Sequence, residues 1–86
     1  MTATLAELET IEAASVIDAR GAACPGPLLE AKKGMAGVPV GSVIEIWSTD
    51  PATKNDIGAW SGKVGHEFMG VLQAEGYDRV FVTRRK

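Results

Sequence analysis

Cys24 is the only cysteine in this 86-residue chain, and it opens the run Cys24-Pro25-Gly26-Pro27-Leu28-Leu29-Glu30-Ala31-Lys32-Lys33. The thiolate is the form of cysteine that attacks sulfur and carbonyl centres, and a helix N-terminus favours it. With no second cysteine, an intramolecular disulfide cannot occupy the thiol. It can stay free, pair with a partner, or carry a cargo. A cysteine can also be an inert small hydrophobe in a core. The setting Ala22-Ala23-Cys24-Pro25-Gly26-Pro27 argues for the reactive reading, because it has the composition of a loop-to-helix junction at the surface.

The spacing predicts Cys24 as helix N-cap, with Pro25, Gly26 and Pro27 as the first three helical positions. Both prolines are harmless there, since first-turn N–H groups have no intrahelical acceptor. They fix φ and so hold the thiol in one direction. They also remove two donors that would otherwise solvate an anion, leaving the Gly26 N–H near the sulfur. The expected result is a rigid, exposed thiol with modest thiolate stabilisation. A nucleophilic hydrolase would also need a base and an orienting group. The single histidine, His66, is the only candidate base of that type, and no third member accompanies it. It reads more simply as a helix-end residue suited to the dipole. One cysteine and one histidine are too few for a structural zinc site, so no metal is expected.

The elements that must position Cys24 follow from hydrophobic period and punctuation. Ser15-Val16-Ile17-Asp18-Ala19 reads as a first strand, broken by Arg20-Gly21. The first helix places Leu28, Ala31 and Met35 on a core face, with Glu30 and Lys33 outside, and Gly37 and Pro39 end it. Val43-Ile44-Glu45-Ile46-Trp47-Ser48 is apolar on both faces except at Glu45 and reads as a central strand. Asp50-Pro51 predicts an N-cap and a first helical proline. Ile57, Trp60 and Val64 then form the inward stripe of a second helix closed by Gly65. Phe68 to Ala74 and Arg79 to Thr83 read as a hairpin about the turn Glu75 to Asp78. The order β-α-β-α-β-β predicts an α/β (α+β) two-layer sandwich, a four-stranded mixed sheet with both helices on one face. Residues 15–86 form the expected single domain. Residues 1–14 are an N-terminal extension, either a short helix with Thr4-Leu5-Ala6-Glu7 at capping-box spacing or a frayed end.

Composition narrows the function classes. The chain is 45% apolar and 23% charged, with formal net charge -2, so no global basic field points to nucleic acid. Charge is uneven: residues 1–18 hold Glu7, Glu9, Glu12 and Asp18 and no base, whereas the end holds Arg79, Arg84, Arg85 and Lys86. That basic end reads either as a solvated terminus or as a docking patch. No residue before Arg20 is basic, and no apolar run has the length of a membrane span. The expectation is a cytoplasmic protein without a membrane contact, monomeric, with no direct nucleic-acid partner.

Taken together, these residues resemble the TusA (SirA-like) family of small sulfur-carrier proteins, over about residues 16–84. The centre of the resemblance is the Cys-Pro-x-Pro motif Cys24-Pro25-Gly26-Pro27. The Asp18-Ala19-Arg20-Gly21 step, the pair Lys32-Lys33, the segment Asp50-Pro51-Ala52-Thr53-Lys54-Asn55-Asp56-Ile57 and Gly65-His66 add to it. The resemblance implies the same βαβαββ sandwich. It implies that Cys24 receives sulfane sulfur as a persulfide from a cysteine desulfurase or a rhodanese-type donor and relays it to a downstream acceptor protein. Family destinations are tRNA thiolation, cofactor biosynthesis and sulfur oxidation, and in the last of these the cargo can be a thiosulfonate. Such a protein is a carrier more than a turnover enzyme, and it needs no cofactor beyond the transient sulfur. Pro25, Gly26 and Pro27 would shape the site. Lys32, Lys33, Asp50 and Asp56 are docking candidates, against the plainer readings of solvated lysines and helix caps. The rival function is a non-catalytic RNA- or protein-binding regulatory module, supported by the basic end and by the family's likeness in shape to a domain of translation initiation factor three.

Overall fold

The computed structural model describes residues 13–23 and 26–86. The short helix or frayed end expected around Thr4-Leu5-Ala6-Glu7 and the N-cap assignment of Cys24 lie outside the described residues. The element order is β1 (Ser15–Asp18), α1 (Gly26–Ala36), β2 (Val43–Ser48), α2 (Thr53–Val64), β3 (Glu67–Ala74) and β4 (Tyr77–Thr83). The four strands form one mixed sheet in the order β1-β2-β4-β3. β1 runs parallel to β2, which requires the crossover through α1. β4 is antiparallel to both β2 and β3. The strand predicted to be central, β2, is indeed internal.

Strand period sorts the side chains by face. Ile44 and Ile46 on β2 pair with Val82 and Val80 on β4, and these four are fully buried with Ala31 and Met35 of α1 and Ile57 of α2. That is the main core, between the sheet and the two helices. A β-bulge between Phe68 and Gly70 puts an extra residue into β3. Phe68 and Val71 can therefore both pack against the main core, while Met69 joins Leu72 and Phe81 on the other face. On that second face Glu45, the polar residue in an otherwise apolar strand, is only 4% exposed. It accepts a hydrogen bond from Arg79 Nε at 2.7 Å and another from the Trp47 indole N–H. A buried carboxylate is tolerated only with such partners.

Three local expectations are corrected. The helix predicted to begin at Asp50-Pro51 begins at Thr53, with Ala52 as N-cap and no side-chain cap. The Asp50 carboxylate instead accepts the Ala52 N–H at 2.9 Å, and its carbonyl accepts the Thr53 N–H at 3.1 Å. Asp-Pro here builds a tight turn that uses the aspartate three residues before the helix. The second correction is to the inward stripe of α2. Val64 is 40% exposed, and the buried face is Thr53, Ile57 and Ser61. Both hydroxyls are satisfied inside: Ser61 Oγ donates to the Ile57 carbonyl at 2.7 Å, and Thr53 Oγ1 pairs with Ser48 Oγ at 2.7 Å. The hairpin turn is also shorter than predicted, only Glu75-Gly76, so β4 starts at Tyr77.

Candidate functional site

The approach to Cys24 is the loop after β1. The Ala19 N–H still donates to the Trp47 carbonyl at 2.9 Å, so the loop leaves the sheet beside the end of β2. Arg20 turns back on Asp18. Its Nε and Nη2 donate to the two Asp18 carboxylate oxygens at 2.8 and 2.7 Å, and its backbone N–H adds a third bond at 3.1 Å. The bidentate pairing fixes the guanidinium plane. Its central carbon lies 4.9 Å from the Trp47 ring centroid and 5.0 Å from that of Tyr77. The two rings are themselves 5.4 Å apart. Hydrogen bonds from Arg20 hold the Asp18 carboxyl down at about 2. The same pairing raises Arg20.

The next residues are held from the other side. The Gly21 N–H donates to Thr49 Oγ1 at 3.0 Å, and the Ala22 N–H donates to the Ala19 carbonyl at 3.2 Å. The Gly26 N–H donates to the Ala23 carbonyl at 2.8 Å. The two residues that flank the Cys-Pro pair are therefore within hydrogen-bond distance of each other. This changes the electrostatic expectation. The Gly26 N–H, the donor expected near the sulfur, is already committed to Ala23. Pro27 has no N–H to offer. A Cβ on Gly26 would lie 3.2 Å from the Ala22 Cβ, so the absence of a side chain there lets helix and loop close up.

The other predicted site residues are distributed as follows. Pro27 is fully buried, so it wedges the start of α1 into the core and adds nothing to the surface. Asp50 sits in the turn after β2, next to Thr49, and Asp56 stands in the first turn of α2. A depression of about 350 Å³ opens beside Thr49, between Pro51, Lys54, Tyr77 and Asp78. Lys54 Nζ crosses it to Asp78 at 3.4 Å and to the Pro51 carbonyl at 2.9 Å. Lys32 and Lys33 are exposed near the opposite end of α1 and do not join this assembly. Sequence reasoning missed Arg20, Trp47, Thr49 and Tyr77. The charge pair Asp18-x-Arg20 was visible, but the stack under it required knowing that β4 lies beside β2.

The family model described as sulfurtransferase TusA matches residues 15–84. A protein of Archaeoglobus fulgidus designated a candidate sulfur carrier is 45% identical over 71 residues, covering 83% of this chain and 97% of its own. The sulfur carrier protein TusA of Pseudomonas entomophila is 32% identical over 62 residues, 72% of this chain and 78% of its own. The crystal structure of a SirA-like protein from Desulfitobacterium hafniense superposes with a TM-score of 0.73 at 23% identity, covering 84% of this chain and 99% of that one. That last likeness speaks for the fold alone.

Proposed function

Because the chain belongs to the TusA sulfurtransferase family and has the sulfur-carrier role that goes with it, we propose that Cys24 is the sulfur-bearing residue. The observation that carries this reading is the double anchoring of the chain just before it, Arg20 on Asp18 and Gly21 on Thr49. A cargo passed between proteins must be presented at a fixed place, and a loop pinned to the end of β1 and to the turn after β2 serves that without a pocket.

In the proposed step, the Cys24 thiolate attacks the outer sulfur of a donor persulfide. A new S–S bond forms at Cys24 as the donor's S–S bond breaks, and the electron pair leaves with the donor's thiolate. The transferred sulfur keeps its oxidation state, so the exchange needs no external oxidant or reductant. The resulting persulfide is more acidic than the thiol, so it ionises without help from first-turn N–H donors. An acceptor thiolate then attacks the outer sulfur, and the Cys24 thiolate is the leaving group. The sparse donor set at the start of α1 suits this role. A strongly stabilised thiolate would be a weaker nucleophile toward the incoming sulfur.

Partners for such a carrier are a sulfur donor protein and a sulfur acceptor protein. We assign the donor to the cysteine desulfurase or rhodanese type, the cargo to a persulfide ahead of a thiosulfonate, and the location to the cytoplasm. No resident cofactor or metal enters the scheme, Pro25 and Gly26 shape the site, and the protein acts as a monomer. The test is an intact mass measurement of wild type and Cys24→Ser after incubation with a cysteine desulfurase and cysteine, and separately with tetrathionate. With the desulfurase, one added sulfur atom, removed by reductant and absent from the variant, is the expected result; with tetrathionate the Cys24 thiolate displaces thiosulfate and gains the larger thiosulfonate-type group, again in wild type alone. Equal loading of the serine variant would overturn the assignment.

A further inference from the structure

Two basic features, about fifty residues apart in the sequence, meet in space at the end of the helices remote from Gly26. A groove of about 250 Å³ runs between the C-terminal halves of α1 and α2, lined by Lys32, Met35, Trp60, Val64, His66, Arg84 and Lys86. Gly26 begins α1, and the groove lies along its last turns, in a helix about 16 Å long at 1.5 Å per residue. The basic tail is not a loose terminus. Arg84 Nη1 donates to the carbonyls of Met35 at 3.1 Å and Val38 at 2.5 Å, closing the C-terminal end of α1.

Lys86 folds back over Gly65, the left-handed C-cap of α2. A Cβ placed there would lie 2.9 Å from Lys86 Cε and 3.1 Å from its Nζ. His66 Nδ1 accepts the Arg85 N–H at 3.2 Å, which leaves Nε2 as the ring's N–H donor. The His66 ring meets the Trp60 ring edge-on at 5.5 Å.

Cations near helix C-termini are favoured by the dipole, and this accounts for Arg84 and in part for Lys86. It does not account for Lys32, which precedes the end of its helix and has no ion-pair or hydrogen-bond partner among the described residues. Lys33 and Lys63 stand in the last turns of the same two helices. The nearby carboxylate of Glu67 is taken by Arg85. One end of a chain with net charge -2 thus carries a concentrated positive field around an apolar floor. His66 reports that field: burial, with the Arg84 and Lys86 charges, holds its imidazole below the ordinary value.

We infer that this groove docks an acidic segment of a partner protein, with a carboxylate entering between Lys32 and Lys86 and an apolar neighbour resting on Trp60, Met35 and Val64. Charge complementarity selects the occupant. A nucleic acid would present a long phosphate backbone to a protein of net negative charge, and Trp60 is packed against His66, not free to stack a base. The inference rests on the carrier reading only in that a carrier must be held by partners. Its particular content is that a partner can grip the chain here while the segment between Ala23 and Gly26 stays open to another.

The test is an amide NMR titration of the full chain with poly-L-glutamate of about twenty residues. Shifts confined to Lys32, Met35, Trp60, Val64, His66 and Lys86 are expected, weakening as salt rises. Lys32→Ala together with Lys86→Ala should reduce affinity about tenfold, as two surface charges of this kind allow. Lys54→Ala, which removes the same charge at the other end of the molecule, should leave affinity unchanged. Cys24→Ser should bind as wild type does, so a failure of the carrier reading in the sulfur-loading assay stays separate from this one. Shifts scattered over the surface, equal loss in Lys54→Ala, or binding of an RNA oligonucleotide but not of the peptide would each overturn the inference.

Discussion

The amide of Gly21 donates to the hydroxyl oxygen of Thr49 at 3.0 Å, joining two residues 28 positions apart. It ties the loop that leads to Cys24 to the loop that leaves β2. Thr49→Val keeps the shape and removes the acceptor. We expect a loss of about 1 kcal/mol in unfolding free energy, the usual net worth of one hydrogen bond. We also expect sulfur transfer to a partner to slow several-fold while the final extent of Cys24 loading is unchanged. Chemical denaturation and a single-turnover transfer assay measure the two effects. An unchanged transfer rate would show that the anchor is not used.

Cys24→Ser should retain the fold, with an unchanged far-ultraviolet circular dichroism spectrum, and lose all sulfur loading by intact mass. Serine is nearly isosteric with cysteine, but its hydroxyl is not ionised near neutral pH and does not replace a thiolate as nucleophile.

Arg20 and Asp18 set a pH dependence whose sign is fixed. The Asp18 carboxyl is held at about 2, below its ordinary 3.8, so the folded state binds its proton less readily than the unfolded chain. The stabilisation is fully present above about 3.8 and fades as pH falls toward about 2. His66 behaves likewise at higher pH, because its lowered value means that stability rises with pH through the window just below 6.5. Denaturation midpoints of wild type and Arg20→Ala should differ least at the acid end of the Asp18 window. A His66→Gln variant should flatten the curve in the window just below 6.5.

Glu45→Ala should destabilise by about 2 kcal/mol, more than an average surface change. The carboxylate is nearly fully buried, and it receives both the Arg79 guanidinium and the Trp47 indole N–H. Its loss also frees the ring that lies under Arg20. A thermal unfolding curve gives the shift directly. A midpoint as high as wild type would mean that the second face of the sheet repacks without it.

The local grammar of the chain was enough for the element order. Period-two runs, the Gly65 stop and the parallel crossover implied by strand-helix-strand all act within a few residues. They led to the right sheet and to β2 inside it. The same kind of reasoning failed where a long-range partner competed with a local rule. Asp50 was legible as a cap, but its carbonyl and carboxylate serve a turn before α2, because Ser48 and Thr53 pair across that turn inside the core. Val64 was legible as core by period. The crossing of α2 over β3 and β4 buries Thr53 and Ser61 instead, and each hydroxyl is satisfied there.

Sequence by itself determined the chemistry: a single thiol, two prolines that remove donors, and charges of stated sign at stated positions. Those are properties of residue types and immediate neighbours, and no fold is needed to know them. Tertiary structure decided which of those groups act together. Strand order put Tyr77 beside Trp47 and so made a platform for Arg20. The antiparallel return of β4 carried Arg84 and Lys86 back to the C-terminal ends of both helices, where they meet Lys32. Such meetings depend on sheet pairing between segments distant along the chain, a cooperative choice made by the whole core and written in no single stretch of it.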